Sequence, residues 1–170
     1  MSRKQLLASF FGIRISDDKP DLVTLVPPRI SNEVKNGQLP IFRPTTIKLN
    51  ANEVCHYMDR AALVVKKSER SYSSSKAGGG YRVSKNFRMY SSKRYTRPID
   101  QEWYEYRTGV IFITNKRIIF VAAEDGFEKE ISKLTSIIPY SDAVGLQFGS
   151  KIINFLTPQS HLILSILQML

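Results

Sequence analysis

The chain reads as a mainly β domain preceded by a proline-rich arm and finished by one helix. Three features predict this. Short β-rich apolar runs separated by turn residues follow Asn52, prolines crowd the stretch from Ser16 to Thr46, and a helical apolar period is confined to the end of the chain. At 170 residues this is one domain, or one domain with an appended segment, long enough to bury a core. No apolar run is long enough to cross a bilayer as a helix, and the glycine and proline content is too low for a collagen-like or wholly disordered chain. Cys55 is the only cysteine, which excludes an internal disulfide and a cysteine-built metal cage and makes the cytoplasm the default location.

The elements follow in order. Ser2 can cap a short helix to Phe11, with Leu6, Leu7, Phe10 and Phe11 on one side. It reads as a docking segment, with an in-plane membrane anchor as the other reading because Arg3 and Lys4 precede the apolar residues. The apolar stretch is too short, and too soon followed by Arg14 and Asp17, for a secretory signal. Pro20, Pro27, Pro28, Pro40 and Pro44 remove backbone donors, which is hostile to helix interiors and central strands. A wrapping arm is expected there, with Leu22, Val23, Leu25 and Val26 forming an edge strand and Asn36-Gly37 a tight turn. The domain boundaries read as 1–51 for the N-terminal helix and arm, and 52–170 for the β domain.

Strands are predicted near 53–58, 62–72, 81–90, 102–114, 117–122, 127–132, 135–140, 143–148 and 151–156, some of them merging to give seven. Ser71 to Gly80, with its serine and glycine triplets, is expected as a flexible tip. The triple glycine lacks the Gly-Lys-Ser/Thr continuation of a phosphate loop. At the end of the chain, Thr157 can cap a helix beginning at Pro158, with Leu162, Ile163, Ile166, Leu167 and Leu170 on one face. That face should cover the open end of the strands, and Leu162, Ile166 and Leu170 are its candidate contacts with a protein partner.

Charge is unevenly divided. Residues 1–65 hold 9 basic and 6 acidic residues, 66–97 hold 10 and 1, and 98–170 hold 6 and 8. The net +10 therefore resides almost entirely in Lys66, Lys67, Arg70, Lys76, Arg82, Lys85, Arg88, Lys93, Arg94 and Arg97. Tyr72, Tyr81, Phe87, Tyr90 and Tyr95 are interleaved with them. These ten bases are the candidate site for an anionic partner, whether lipid or nucleic acid. The structural alternative is a long exposed hairpin kept soluble by its lysines and arginines.

The most distinctive string runs Gly109-Val110-Ile111-Phe112-Ile113-Thr114-Asn115-Lys116-Arg117-Ile118-Ile119-Phe120. It is followed by Ser132-Lys133-Leu134-Thr135-Ser136-Ile137 and Tyr140-Ser141-Asp142. Two apolar β runs hinge at Thr114 to Arg117, with the basic pair expected at the rim. This string, and the 53–170 stretch around it, resembles GRAM and bacterial pleckstrin-homology-like domains, including uncharacterised bacterial proteins with such a domain. The resemblance implies a PH-like, seven-stranded, bent antiparallel barrel of two near-orthogonal sheets, capped by the C-terminal α-helix. In lipid-binding relatives basic residues between early strands meet phosphoinositide headgroups, and the 66–97 hairpin falls in the corresponding part of the domain. Its length and its Ser/Gly stretch depart from the compact basic pattern of such sites.

Catalytic and metal chemistry find no support. Cys55 and His56 are consecutive strand residues and point to opposite faces, His161 lies on the last helix, and the acidic groups at 100–105 and 124–130 read as solvated faces. No catalytic residue, cofactor, metal or small-molecule substrate is expected, and the chain is read as a non-enzyme. Alternation places Trp103 and Glu105 on one face and Tyr104 and Tyr106 on the other; one set reads as core packing, with an aromatic platform for a peptide or a base as the alternative. Three function classes follow. The first is a protein-binding or self-associating module, the second peripheral attachment to an anionic membrane, and the third nucleic-acid binding by the same hairpin.

Overall fold

The computed structural model describes residues 19–85 and 87–170, with 73, 76, 77, 80, 81, 83, 84, 87–93, 99 and 101 described by backbone alone. The helix expected at 2–11 lies outside the described residues. The elements run α1 (Pro28–Lys35), β1 (Cys55–Ser84), β2 (Phe87–Thr114), β3 (Arg117–Ala122) and β4 (Phe127–Glu130). A 3-10 turn (Ile131–Lys133), β5 (Ser136–Pro139), β6 (Ala143–Phe148), β7 (Lys151–Leu156) and α2 (Ser160–Met169) complete the order. The strands make one antiparallel sheet in the order β4-β3-β2-β1-β7-β6-β5. The chain is therefore mainly β with a C-terminal helix. Where a barrel was expected, the sheet is open, with β4 and β5 as its edges and no pairing between them among the described residues.

By contacts the described chain divides into a unit of 19–65 with 105–170, and a second unit, Lys66–Tyr104. The first has a core because strand alternation sends one set of side chains to each face of the sheet. Tyr57, Ile111, Ile113, Ile118, Phe120, Val144, Leu146, Ile153 and Phe155 are buried on one face together with Ile30 and Val34 of α1 and Leu162, Ile163, Ile166 and Leu167 of α2. Phe155 stacks at 5.2 Å from Phe120 and 5.7 Å from Phe127 between ring centroids. The alternate residues Phe112 and Ile119 form a second cluster with Cys55, covered by Phe42, Ile47 and Leu49. Ala62, Ala143 and Leu156 form a third, covered by Leu22 and Tyr106. Both faces are thus roofed, one by the two helices and the other by the proline-rich arm.

The arm differs from expectation in two ways. Pro27-Pro28 starts a helix instead of forbidding one, because Pro28 occupies the first turn, where no backbone donor is needed. Asn36-Gly37 ends that helix, with Gly37 at φ 75°, instead of making a hairpin turn. Leu22 to Val26 form no strand; the segment is held by Asp59, a fully buried carboxylate that accepts from Leu25 N at 2.6 Å, Thr24 Oγ1 at 2.8 Å and Tyr57 Oη at 3.2 Å. At the other end of the chain, α2 begins at Ser160, two residues beyond Pro158, and Thr157 is buried with its hydroxyl 3.5 Å from Tyr57 Oη instead of capping the helix.

The Thr114 to Arg117 hinge is a clasp and not a free rim. Glu53, whose side chain is fully buried, accepts from Arg117 Nε at 2.8 Å, Arg117 Nη2 at 3.0 Å, Thr114 Oγ1 at 2.7 Å and the Asn50 amide at 2.7 Å. Arg117 also reaches the Lys48 carbonyl at 2.7 Å and Glu128 at 2.8 Å. Asn115 Oδ1 accepts from Val54 N at 3.0 Å, its amide donates to the Asn52 carbonyl at 3.1 Å, and Lys116 Nζ donates to the Ala51 carbonyl at 2.6 Å. Every residue of the hinge thus bonds to 48–54 or within itself. Burial alone would push the Glu53 carboxyl up, but the hydrogen bonds from Arg117, Asn50 and Thr114 and the guanidinium charge overcome it and bring it down to about 2.

Candidate functional site: the basic ribbon

The site is built by two strands that outrun the sheet. β1 pairs with β7 at residues 62–64 and β2 pairs with β3 at 109–113, yet β1 continues to Ser84 and β2 begins at Phe87. The unit Lys66–Tyr104 is this antiparallel ribbon. The flexible tip expected at Ser71 to Gly80 is instead strand within β1. Serine and glycine accept the extended conformation once a partner strand supplies the hydrogen bonds, so their low complexity marked no turn. Pro98 fits here, since a ribbon strand has one side without a neighbouring strand where a missing donor costs nothing.

Among the described side chains of 66–104 only Lys67 and Trp103 are half-buried, and the others are exposed. None of the described side chains of this ribbon is buried. Lys66 pairs with Glu102 at 2.8 Å, and Arg70 makes a forked pair with Asp100 at 2.7 and 3.4 Å. The Glu102 carboxylate raises the Lys66 ammonium above its ordinary value, and the Arg70 hydrogen bond lowers the Asp100 carboxyl below its own. Sequence windows ending at Arg97 missed Asp100 and Glu102, which only the strand register brings opposite the first bases. These carboxylates, with Glu69 and Ser68, also line a surface hollow beside Arg70, so an anion meets like charge there.

Beyond that base the charge is of one sign. Residues 71–99 hold Lys76, Arg82, Lys85, Arg88, Lys93, Arg94 and Arg97 and no acidic residue. Arg82, Lys85, Arg94 and Arg97 are exposed, and Arg82 Nη2 donates to the Lys85 carbonyl at 3.1 Å. The side chains of Lys76, Arg88 and Lys93, and those of Tyr81, Phe87 and Tyr90, lie outside the described ones. Tyr72 is 67% exposed and Tyr95 51%.

The other expected contact fails. Leu162 and Ile166 are 2% and 0% exposed because α2 turns them into the core, and only Leu170 is exposed. The helix face cannot be both the plug and the docking surface. Cys55 is buried, which pushes its thiol up to about 11, and His56 Nδ1 donates to the Pro40 carbonyl at 2.8 Å. Neither is poised as a nucleophile or base. Among the described residues no group of three His, Cys, Asp or Glu gathers as a metal site, and no helix is long and apolar enough to cross a membrane. Sequence reading overlooked Glu53 and Asp59 as buried anchors; their position inside the apolar stretch 53–65 was the available signal. Comparison with known proteins finds no matching family model, curated protein or solved structure.

Proposed function

We propose that this chain is a non-catalytic binding module on a pleckstrin-homology-like scaffold, and that its contact element is the basic ribbon 66–104. The scaffold reading is supported by the strand order β4-β3-β2-β1-β7-β6-β5, followed by a helix packed into the same core. It draws further support from the Thr-Asn-Lys-Arg hinge that carries the family resemblance. Under this reading the hairpin between the first two strands, where lipid-binding relatives meet headgroups, is here drawn out into a long cationic arm.

The single observation that carries the function is the segregation of charge along that arm. Its base is neutralised by Asp100 and Glu102, while 71–99 holds seven bases without an acid. A device for solubility alone would mix signs; a run of one sign attracts a partner of the opposite sign. Self-association of ribbon with ribbon is opposed by the same charge, and α2 is occupied by the core. The test is binding of the whole chain to heparin, a sulfated polyanion. Arg82→Glu, Lys85→Glu and Arg94→Glu together should abolish retention at low salt while moving the thermal midpoint by less than about 2 °C, because exposed charges contribute little to stability. Undiminished retention by the triple variant would remove the ribbon from the contact.

A further inference from the structure

Resting on the reading of the ribbon as the contact element, we infer that its occupant is a single-stranded nucleic acid, held along its phosphodiester backbone by the 71–99 bases with bases stacked on Tyr72 and Tyr95. Three observations select this class. The first is extent. The strands 71–84 and 87–99 reach roughly 45 Å at the usual rise per residue, and six of the seven cations are spread in sequence along the two, with Lys85 between them. A linear polyanion matches a linear array of cations, whereas a single headgroup needs convergent ones.

The second observation is the type of exposed apolar surface. The exposed large hydrophobic residues of the ribbon are Tyr72, Tyr95 and Tyr104, with no aliphatic side chain among the described ones. Phenol rings at 67% and 51% exposure between arginines and lysines offer flat faces to bases, which stack without regard to sequence.

The third is the make-up of the first strand. A two-stranded ribbon is only marginally ordered by itself. Small residues, Ser71, Ser73 to Ser75 and Gly78 to Gly80, leave the backbone open to close approach by a strand of phosphates.

The experiment uses the whole chain with four probes: a single-stranded oligonucleotide of mixed sequence, its duplex, vesicles rich in phosphatidylserine, and heparin. The oligonucleotide should bind more tightly than its duplex, and its affinity should fall about 10³-fold between about 50 and 200 mM salt. Arg82→Glu, Lys85→Glu and Arg94→Glu together should flatten that salt dependence by about two to three units of slope. Tyr72→Ser and Tyr95→Ser should each weaken the oligonucleotide about tenfold while leaving heparin binding unchanged. Equal binding of duplex with neutral tyrosine variants would overturn the single-strand assignment, as would vesicle cosedimentation without oligonucleotide binding. Failure of the unsubstituted chain to bind heparin as well would mean that the ribbon reading itself had failed.

Discussion

Glu53 shows how one carboxylate can hold two distant stretches of chain together. It sits where the arm enters the sheet and receives Arg117 and Thr114 from the β2–β3 hinge. Its carboxyl is held at about 2 against an ordinary value of 4.5, so the charged form is the one the fold favours. A depressed folded value means that this stability is fully present above the unfolded value and is lost as pH falls toward about 2. Glu53→Gln should cost on the order of 3 kcal/mol at neutral pH and flatten the acid limb of the stability curve between about pH 4.5 and 2, measured by urea unfolding at stepped pH. An unchanged acid limb would assign acid sensitivity to other carboxylates. Gly109 illustrates a different residue-scale constraint. A Cβ there would lie 2.4 Å from the Val121 carbonyl oxygen, so the glycine opening the apolar string is required by the close approach of β3. The string was legible in the sequence, but this cause of it was not.

At the level of elements, periodicity identified the right apolar positions and misjudged some of their uses. The two apolar runs of 109–122, hinged at Thr114 to Arg117, predicted the β2–β3 hairpin, whose register pairs Ile111 with Phe120 and Ile113 with Ile118. The helical period at 162–167 predicted α2, but an apolar face read alone cannot tell self-burial from partner binding. Fully buried Ile166 decides for the core. Ile166→Ala should lower stability by roughly 2–5 kcal/mol in denaturant unfolding, with polyanion binding per folded molecule unchanged. A neutral stability effect would return the helix face to the candidate interfaces. The long strands were hidden because nothing in a Ser/Gly sequence announces a strand; the pairing partner announces it. Charge counting found the ribbon's ten bases but not the ion pairs at its base, since those depend on register.

For the whole molecule, the sequence separates one part that folds on an apolar core from another that carries most of the net charge. The first contains every buried hydrophobic residue described, and the second, Lys66–Tyr104, contains none of them. The division explains why composition could announce a β domain and a basic segment. The proposed function lies on the second part, in keeping with the general tendency of binding segments to lie at the low-stability end of a fold. Amide hydrogen exchange on the whole chain, with and without a single-stranded oligonucleotide, is the most direct test. The account predicts slow exchange at 109–122 and 143–156, fast exchange at 71–99 in the free chain, and new protection confined to 71–99 when the oligonucleotide is added. Protection appearing in the sheet unit while 71–99 stays fast would contradict it.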